Sequence, residues 1–377
     1  MDLLAKIAGG GALCALGYYL VCLWSALAVL RQKEPVATGP LPAVSLLKPL
    51  RGADPELDAA LRSHCAQDYP EYEVLLGVSD PADPAVPIAE QLAREFPGRV
   101  RLLICPEALG ANRKVSNLIQ MLAQARHAHL LINDSDICVP PDYLRRVFAH
   151  FEDPAVGMVT SLYRGRAGAT LGSRLEALGI STDFIPGVLA ARQLEGIRFG
   201  LGCTLAMSRK ALDAIGGLQP IVDYLADDYE LGYRIWKSGM RVALSRLVVE
   251  THVPAYTLGG FFEHQLRWAR TVRHARPASY LGMALSFGQG WALAALAFSR
   301  FAPWACGLLG ITILLRWMMA LVVGVGVLDD RQILRSFLLI PLRDFLSVLV
   351  WLGSYAGRRI HWRGDDFILE KGKLRPA

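Results

Sequence analysis

Leu130-Leu131-Ile132-Asn133-Asp134-Ser135-Asp136 is an apolar run that delivers two carboxylates to the point where a strand ends. A strand over Leu130 to Ile132 is buried in a sheet, and Asp134 and Asp136 then leave its C-terminal edge, where open α/β sheets bind ligands. Carboxylate oxygens are hard donors of the kind Mg²⁺ or Mn²⁺ takes, one or two from protein and the remainder from substrate phosphates. Aspartates after strands also make ordinary turns and caps, so this stretch read alone leaves a metal site and a turn both open.

Upstream, Ala43 to Leu47, Tyr72 to Val78 and Val100 to Ile104 read as strands, the first of them buried, separated by helical patterns at Asp54 to Cys65, Pro87 to Phe96 and Asn117 to Ala125. Strands alternating with helices pair in parallel through right-handed crossovers, which predicts a Rossmann-like α/β unit. Asp80 follows the second strand as Asp134 follows the fourth, another carboxylate at the ligand edge. The chain has no Gly-x-Gly-x-x-Gly and no Walker motif, so a bound nucleotide has its phosphates held by metal and side chains. Gly110 to Asn117 reads either as a polar loop capped by Asn117 or as a loop over a sugar nucleotide, with Lys114 near the phosphates.

Downstream, Val156 to Ser161 and Cys203 to Met207 are further strands. Between them, Tyr163 to Leu201 becomes irregular, with apolar Leu171, Leu175 and Leu178 at helical spacing, and reads as a segment against a membrane or as core helices. Tyr224-Leu-Ala-Asp227-Asp228-Tyr229-Glu230 opens a helix through Lys237. Acidic residues suit a helix's first turn, and adjacent aspartates also suit a general base facing an acceptor hydroxyl, with Asp228 the candidate. Gly259 to Arg273 forms a helix with His264, Arg267 and Trp268 on neighbouring faces. These three either anchor an interfacial helix or offer a cation and an indole to a phosphate or lipid.

The 377 residues are 53% hydrophobic with a mean hydropathy of +0.31, high for a soluble chain, and the excess sits at the two ends. Ile7 to Leu30 is uncharged, matches a hydrocarbon core of about 30 Å, and is followed by Arg31 and Lys33. That pattern predicts an uncleaved anchor with the middle of the chain in the cytoplasm. Tyr280 to Phe298 and, apart from Arg316, Phe301 to Leu328 are expected to span. Ser336 to Gly357 carries Arg343 and Asp344 just after Pro341, which either pair with each other or mark a broken helix. A third full span would put Arg358, Arg359 and Arg363 outside, so the expectation is two spans, a re-entrant or interfacial segment and a basic tail inside. The seven cysteines lack metal-type spacing and read as reduced thiols. A net charge of +6 without a basic block interleaved with aromatics excludes nucleic acid as partner and suits anionic headgroups and a nucleotide diphosphate.

In order, Lys48-Pro49-Leu50-Arg51-Gly52 with Asp54-Pro55, Asp68-Tyr69-Pro70, Tyr72 to Leu76, Asp134-Ser135, Asp227-Asp228-Tyr229, Arg267-Trp268 and the tail Trp362-Arg363-Gly364 with Phe367 resemble the ceramide glucosyltransferases, glycosyltransferase family 21. The resemblance runs from about Val44 to Ser279, with the tail added. It implies a GT-A (Rossmann-like α/β) cytoplasmic domain with N-terminal and C-terminal transmembrane helices. The chain then divides into an anchor at 1–34, the GT-A domain with interfacial segments at 35–278, a membrane domain at 279–357 and a basic cytoplasmic tail at 358–377.

The resemblance also implies an inverting transfer dependent on Mg²⁺ or Mn²⁺. Asp80 matches the family's first aspartate, expected at the uridine. Asp134 matches the second, expected at the metal and diphosphate, with Asp136 completing an Asp-x-Asp. Asp228 matches the third, expected to be the base, and Arg267-Trp268 match the end of a (Gln/Arg)-x-x-Arg-Trp box. His264 departs from that box, standing where Gln or Arg is usual. The most similar branch, associated with hopanoid biosynthesis, implies transfer of N-acetylglucosamine from UDP-GlcNAc to bacteriohopanetetrol by a multi-pass protein of the bacterial inner membrane. The alternatives are transfer of glucose from UDP-glucose to ceramide, and a polysaccharide synthase of the cellulose or hyaluronan type, which needs more spans for its tunnel than this chain supplies.

Overall fold

The computed structural model describes residues 2–362 and 365–377, and the chain divides into two compact units. Arg363 and Gly364 of the tail motif lie outside the described residues.

One unit takes in Lys33–Arg166, Ile197–His252 and Asp366–Ala377. Its strands are β1 (Val44–Leu50), β2 (Tyr72–Val78), β3 (Val100–Ile104), β4 (His129–Ile132), β5 (Ile137–Cys138), β6 (Val156–Ala167), β7 (Leu205–Ser208) and β8 (Arg241–Val253). Among the described residues they form a single sheet in the order β3-β2-β1-β4-β7-β6-β8-β5. β1 runs parallel to β2 and to β4, and β2 parallel to β3, as the alternation with helices requires. β7 then joins β4 and β6 antiparallel, so the sheet is mixed. Every residue of β2 is buried, the mark of a strand covered on both faces. Chain order reverses between β1 and β4, and the crevice outside their C-terminal ends is where Asp134 emerges.

Several local expectations shift. β1 continues past Leu47 to Leu50 and carries Lys48 into the buried sheet. The helix expected from Asp54 starts at Leu57 and has no side-chain cap; Asp54 stands in the turn before it, its carbonyl accepting Leu57 N at 3.0 Å. The helix expected from Asn117 begins four residues earlier, as Arg113–Gln124, capped by Asn112, whose Oδ1 accepts Val115 N at 3.2 Å. Asn117 instead sits inside that helix and accepts from Ser79 Oγ at 2.8 Å. Lys114 is therefore a first-turn helix residue, fixed in direction, and not part of a flexible loop.

The other unit takes in the N-terminal stretch through Gln32, Ala167–Gly196 and Val253–Asp365, cutting across the linear division drawn from composition. The apparently irregular stretch after Tyr163 contains helices Leu171–Gly179 and Ile185–Glu195, joined by a π-helical turn at Ile180–Phe184. About one extra residue per turn there shifts the apolar period between the two helices, so the stretch as a whole looks irregular although the first helix keeps its own spacing. Leu3–Arg31 and Pro303–Val327 are long and apolar enough to cross a membrane. Tyr280 to Phe298 is not one straight helix: Pro277–Ser286 and Gly288–Phe298 meet at 52°. The last apolar helix is Ile340–Gly353, 14 residues, about 21 Å and short of a hydrocarbon core.

Arg343 and Asp344 do not pair with each other, and they do not break that helix. Consecutive helical residues point about 100° apart, so each finds a partner elsewhere. Asp344 Oδ1 meets the Arg316 guanidinium at 2.6 Å, and that guanidinium also holds Asp183 at 2.6 Å. Arg343 donates to Leu175 O at 3.2 Å and Gln265 Oε1 at 2.9 Å. Arg316 is 2% exposed, so its charge depends on these carboxylates. Replacing Asp344 by Asn keeps a hydrogen-bond acceptor but removes one countercharge, and is expected to lower the stability of this unit by about 1.5–3 kcal/mol. Thermal unfolding in mild detergent measures this, and an unchanged midpoint would show that the buried pair contributes nothing.

β9 (Arg359–Trp362) closes this unit's described helical region. The hairpin of β10 (Asp365–Glu370) and β11 (Lys373–Pro376) follows, antiparallel, with Leu369 opposite Leu374.

Candidate active site

The sheet unit builds an acidic site around one lysine. Lys114 Nζ lies 2.7 Å from Asp134 Oδ1 and 2.9 Å from Asp227 Oδ2. Asp134 comes from the end of β4, Lys114 from the first turn of Arg113–Gln124, and Asp227 with Asp228 from the first turn of Asp227–Lys237. Burial pulls the Lys114 ammonium down, but the charges of Asp134, Asp227 and Asp228 outweigh it and hold it above the ordinary lysine value.

Gly202 joins the two aspartates on which the reading turns. Its amide donates to Asp228 Oδ2 at 3.0 Å, and its carbonyl accepts from Asp134 N at 3.3 Å. A Cβ at this position would lie 2.7 Å from Asp134 Oδ2 and 3.4 Å from Asp228 Oδ2, so both carboxylates face the same point and only glycine leaves it open. Asp228 Oδ1 also accepts Tyr229 N at 2.7 Å. Desolvation first, then the neighbouring charge of Asp227, push the Asp228 carboxyl up to about 6, with Lys114 opposing. A carboxylate so raised is still ionised at neutral pH and is a better proton acceptor than an exposed one.

The Asp-x-Asp is held from three directions. Lys48, fully buried in β1, donates to Asp134 O at 2.7 Å. Burial draws this ammonium down to about 8 against the pull of Asp136 and Asp134. Asn133 Nδ2 donates to Tyr143 OH at 2.8 Å and to Cys203 O at 2.6 Å. Thr251 of β8 donates to Asp136 Oδ2 at 2.6 Å. The Asp136 carboxyl is raised by desolvation and then by the charge of Asp134. Among the described residues no three of His, Cys, Asp and Glu converge as a ready-made metal cage. The donor set is thus two hard carboxylates, one of which already binds an ammonium, and it fits a cation that completes its shell with phosphate oxygens.

Asp80 follows β2 and accepts from Ala82 N at 2.8 Å, forming its own turn. The next loop aspartate, Asp83, accepts Gly52 N at 2.9 Å and so ties the loop after β2 to the loop after β1. His264, Arg267 and Trp268 belong to the other unit, on the helix Leu258–Ala275. There His264 Nδ1 lies 3.0 Å from the Glu176 carboxylate, with its ring stacked on Tyr256 at 5.3 Å and tilted towards Trp268 at 5.5 Å.

Sequence reading missed Gly202, Asp227 as the second partner of Lys114, Lys48 and Asn112. The Gly200-Leu201-Gly202 spacing before β7 was the available hint, since a glycine beside a strand marks close backbone approach. Gly202→Ala is expected to fold, because the atoms it meets are side-chain ends, yet to displace the Asp134 carboxylate and cut turnover by about tenfold or more. Initial rates beside a melting curve test this; wild-type turnover would show that the carboxylate position is not critical.

The sequence profile described as Glycosyl transferase family 21 matches residues 9–375. Ceramide glucosyltransferase 1 of Caenorhabditis elegans is 24% identical over 347 residues, covering 88% of this chain and 72% of that one. The beta-monoglucosyldiacylglycerol synthase of Synechocystis sp. is 27% identical over 216 residues, 55% of this chain and 43% of that one. The fold matches that of the mannosyltransferase PcManGT from Pyrobaculum calidifontis, solved with GDP-Man and Mn²⁺, at a TM-score of 0.58 and 19% identity over 94% of this chain and 98% of that one.

Proposed function

This chain belongs to glycosyl transferase family 21, and on that premise we propose that it moves a hexose from a UDP-sugar to a hydroxyl of a membrane lipid, inverting the anomeric centre. The observation that carries the reading is the pairing of Asp134 and Asp228 across Gly202, with Lys114 alongside. Breaking a sugar–diphosphate bond builds negative charge on the leaving group, and positive charge fixed in advance is what lowers that barrier. Lys114 supplies one such charge. Asp134 and Asp136 would hold the divalent cation, Mg²⁺ or Mn²⁺, which when bound neutralises the diphosphate as a Lewis acid. Asp228 takes the proton of the acceptor hydroxyl as the new bond forms, its carboxylate oriented by the amides of Gly202 and Tyr229. No covalent nucleophile is required, because attack opposite the diphosphate inverts the centre in one step.

Asp80, leaving the same sheet edge as Asp134, is assigned to the uridine, and Arg267 and Trp268 to donor or acceptor, on the motif resemblance. His264 shares that assignment, with Glu176 as the partner that orients it. A lipid acceptor is supported by the ceramide and diacylglycerol glycolipid enzymes among the relatives and by two helices apolar enough to cross a membrane. A cytoplasmic position for the sheet unit is supported by Arg31 and Lys33, which follow the first of these. For the substrates, the proposal is N-acetylglucosamine onto bacteriohopanetetrol, with glucose onto ceramide as the second reading.

Membranes containing the protein, given labelled UDP-N-acetylglucosamine or UDP-glucose with bacteriohopanetetrol or ceramide, should yield a lipid heavier by one sugar. A polymer, or UDP release with no glycolipid, would reject the proposal.

A further inference from the structure

A short segment immediately before Asp227 and Asp228 is clasped from two sides. On one side, Asn112 N donates to Val222 O at 2.9 Å, Ala111 N donates to Asp223 Oδ1 at 3.0 Å, and Asn112 Nδ2 donates to Tyr224 O at 2.8 Å. Asn112 is also the cap of the helix that carries Lys114. On the other side lies the C-terminal hairpin, some of the most distant sequence available. Leu374 N donates to Asp223 O at 2.7 Å, and Leu225 N donates to Gly372 O at 3.1 Å. Tyr224 and Lys373 form an antiparallel bridge, and Lys373 Nζ sits 5.2 Å from the centroid of the Tyr224 ring.

The hairpin is tied by its backbone to the three residues that lead into the acidic helix turn. The hairpin is shaped for that contact. Its turn uses positive φ at Lys371 (50°) and Gly372 (82°), and Leu369 and Leu374 are buried at 0% and 2% exposure. Because the Leu374 amide faces Asp223, it takes no part in the ladder between β10 and β11.

We propose that the C-terminal hairpin is a positioning element of the active site: the backbone of Gly372 to Leu374 fixes residues 223–225, and through them the direction in which Asp227 and Asp228 face Lys114 and Asp134. Its kinetic consequence rests on Asp228 being the base; the contact itself does not. The residues concerned are positioning residues, since none of them touches substrate in this scheme.

The test uses the full chain. Leu374→Pro removes the hairpin amide that donates to Asp223 O and spares the hairpin ladder, whereas Leu374→Ile keeps that amide. In Leu374→Pro, kcat should fall by about 10- to 100-fold, the range that follows small misplacements of reacting groups, with KM for the nucleotide sugar little changed. Amide hydrogen exchange in peptides covering 223–232 should quicken, and Leu374→Ile should restore both readouts. If Leu374→Pro does not accumulate, Gly372→Ala carries the same readouts, strained at its φ of 82° and set against the Tyr224 ring at 3.5 Å. Exchange at wild-type rates would overturn the proposal, and so would faster exchange with unchanged kcat. Failure of the base assignment shows separately, as full turnover in Asp228→Asn, while the exchange result still decides whether the tail holds the segment.

Discussion

Asp228→Asn is expected to lose about 10²- to 10⁴-fold in turnover, the range a positioned general base contributes, while binding of the nucleotide sugar stays close to wild type. The substitution conserves shape and removes the one property the reaction needs, a site that can accept a proton. It also exchanges one of two acceptors for a donor. The carboxylate accepts the amides of Gly202 at 3.0 Å and Tyr229 at 2.7 Å, and an asparagine satisfies only one of them, costing about 1–3 kcal/mol locally. A melting curve therefore belongs beside the kinetics, so that loss of fold is not read as loss of chemistry. Initial rates at saturating donor and acceptor, with donor binding by calorimetry, make the measurement. A folded variant that turns over normally would remove Asp228 from the mechanism.

Asp134→Asn is expected to cost about 10²- to 10³-fold in turnover, comparable to removing one preorganised charge-stabilising group from an active site, and to weaken donor binding as well. Lys114 Nζ lies 2.7 Å from this carboxylate, so the variant loses a countercharge and an anchor for the ammonium at once. The backbone of the turn is held independently by Lys48, through Asp134 O at 2.7 Å, which keeps the strand end in place. The two variants should split by kinetic parameter: Asp228→Asn in kcat, Asp134→Asn in both kcat and KM for the donor. Prolonged chelation should reproduce the Asp134→Asn defect in the wild-type protein and leave the variant little further to lose. Full activity after chelation would dismiss the cation and leave Lys114 as the charge on the diphosphate.

The parallel half of the sheet was legible because its strands are short, mainly apolar runs bounded by turn residues. Tyr72–Val78 and Val100–Ile104 match the sequence reading residue for residue. Helix starts were less legible. An N-cap is defined by its own extended backbone, so Asn112 at φ −85° and ψ 100° took the role that the sequence reading gave to Asn117. β8, 13 residues long, went unread although it supplies Thr251 to Asp136. The π turn at Ile180–Phe184 shifted the apolar period between two helices and left membrane segment and core helices equally open in the sequence.

The amino-acid sequence by itself determined the α/β alternation, the apolar ends, the aspartates at strand and helix termini and, through their order, the family. Those are local properties, written in residue spacing. Which groups touch was decided only by tertiary structure. Lys114 between Asp134 and Asp227, Gly202 bonded to Asp134 and Asp228, and Gly372 to Leu374 laid along Asp223 to Leu225 all join residues from different elements. Contacts of that kind have no periodicity to read, because they are fixed by where the sheet delivers each chain end and by the free energy of satisfying charges and amides once water has been excluded.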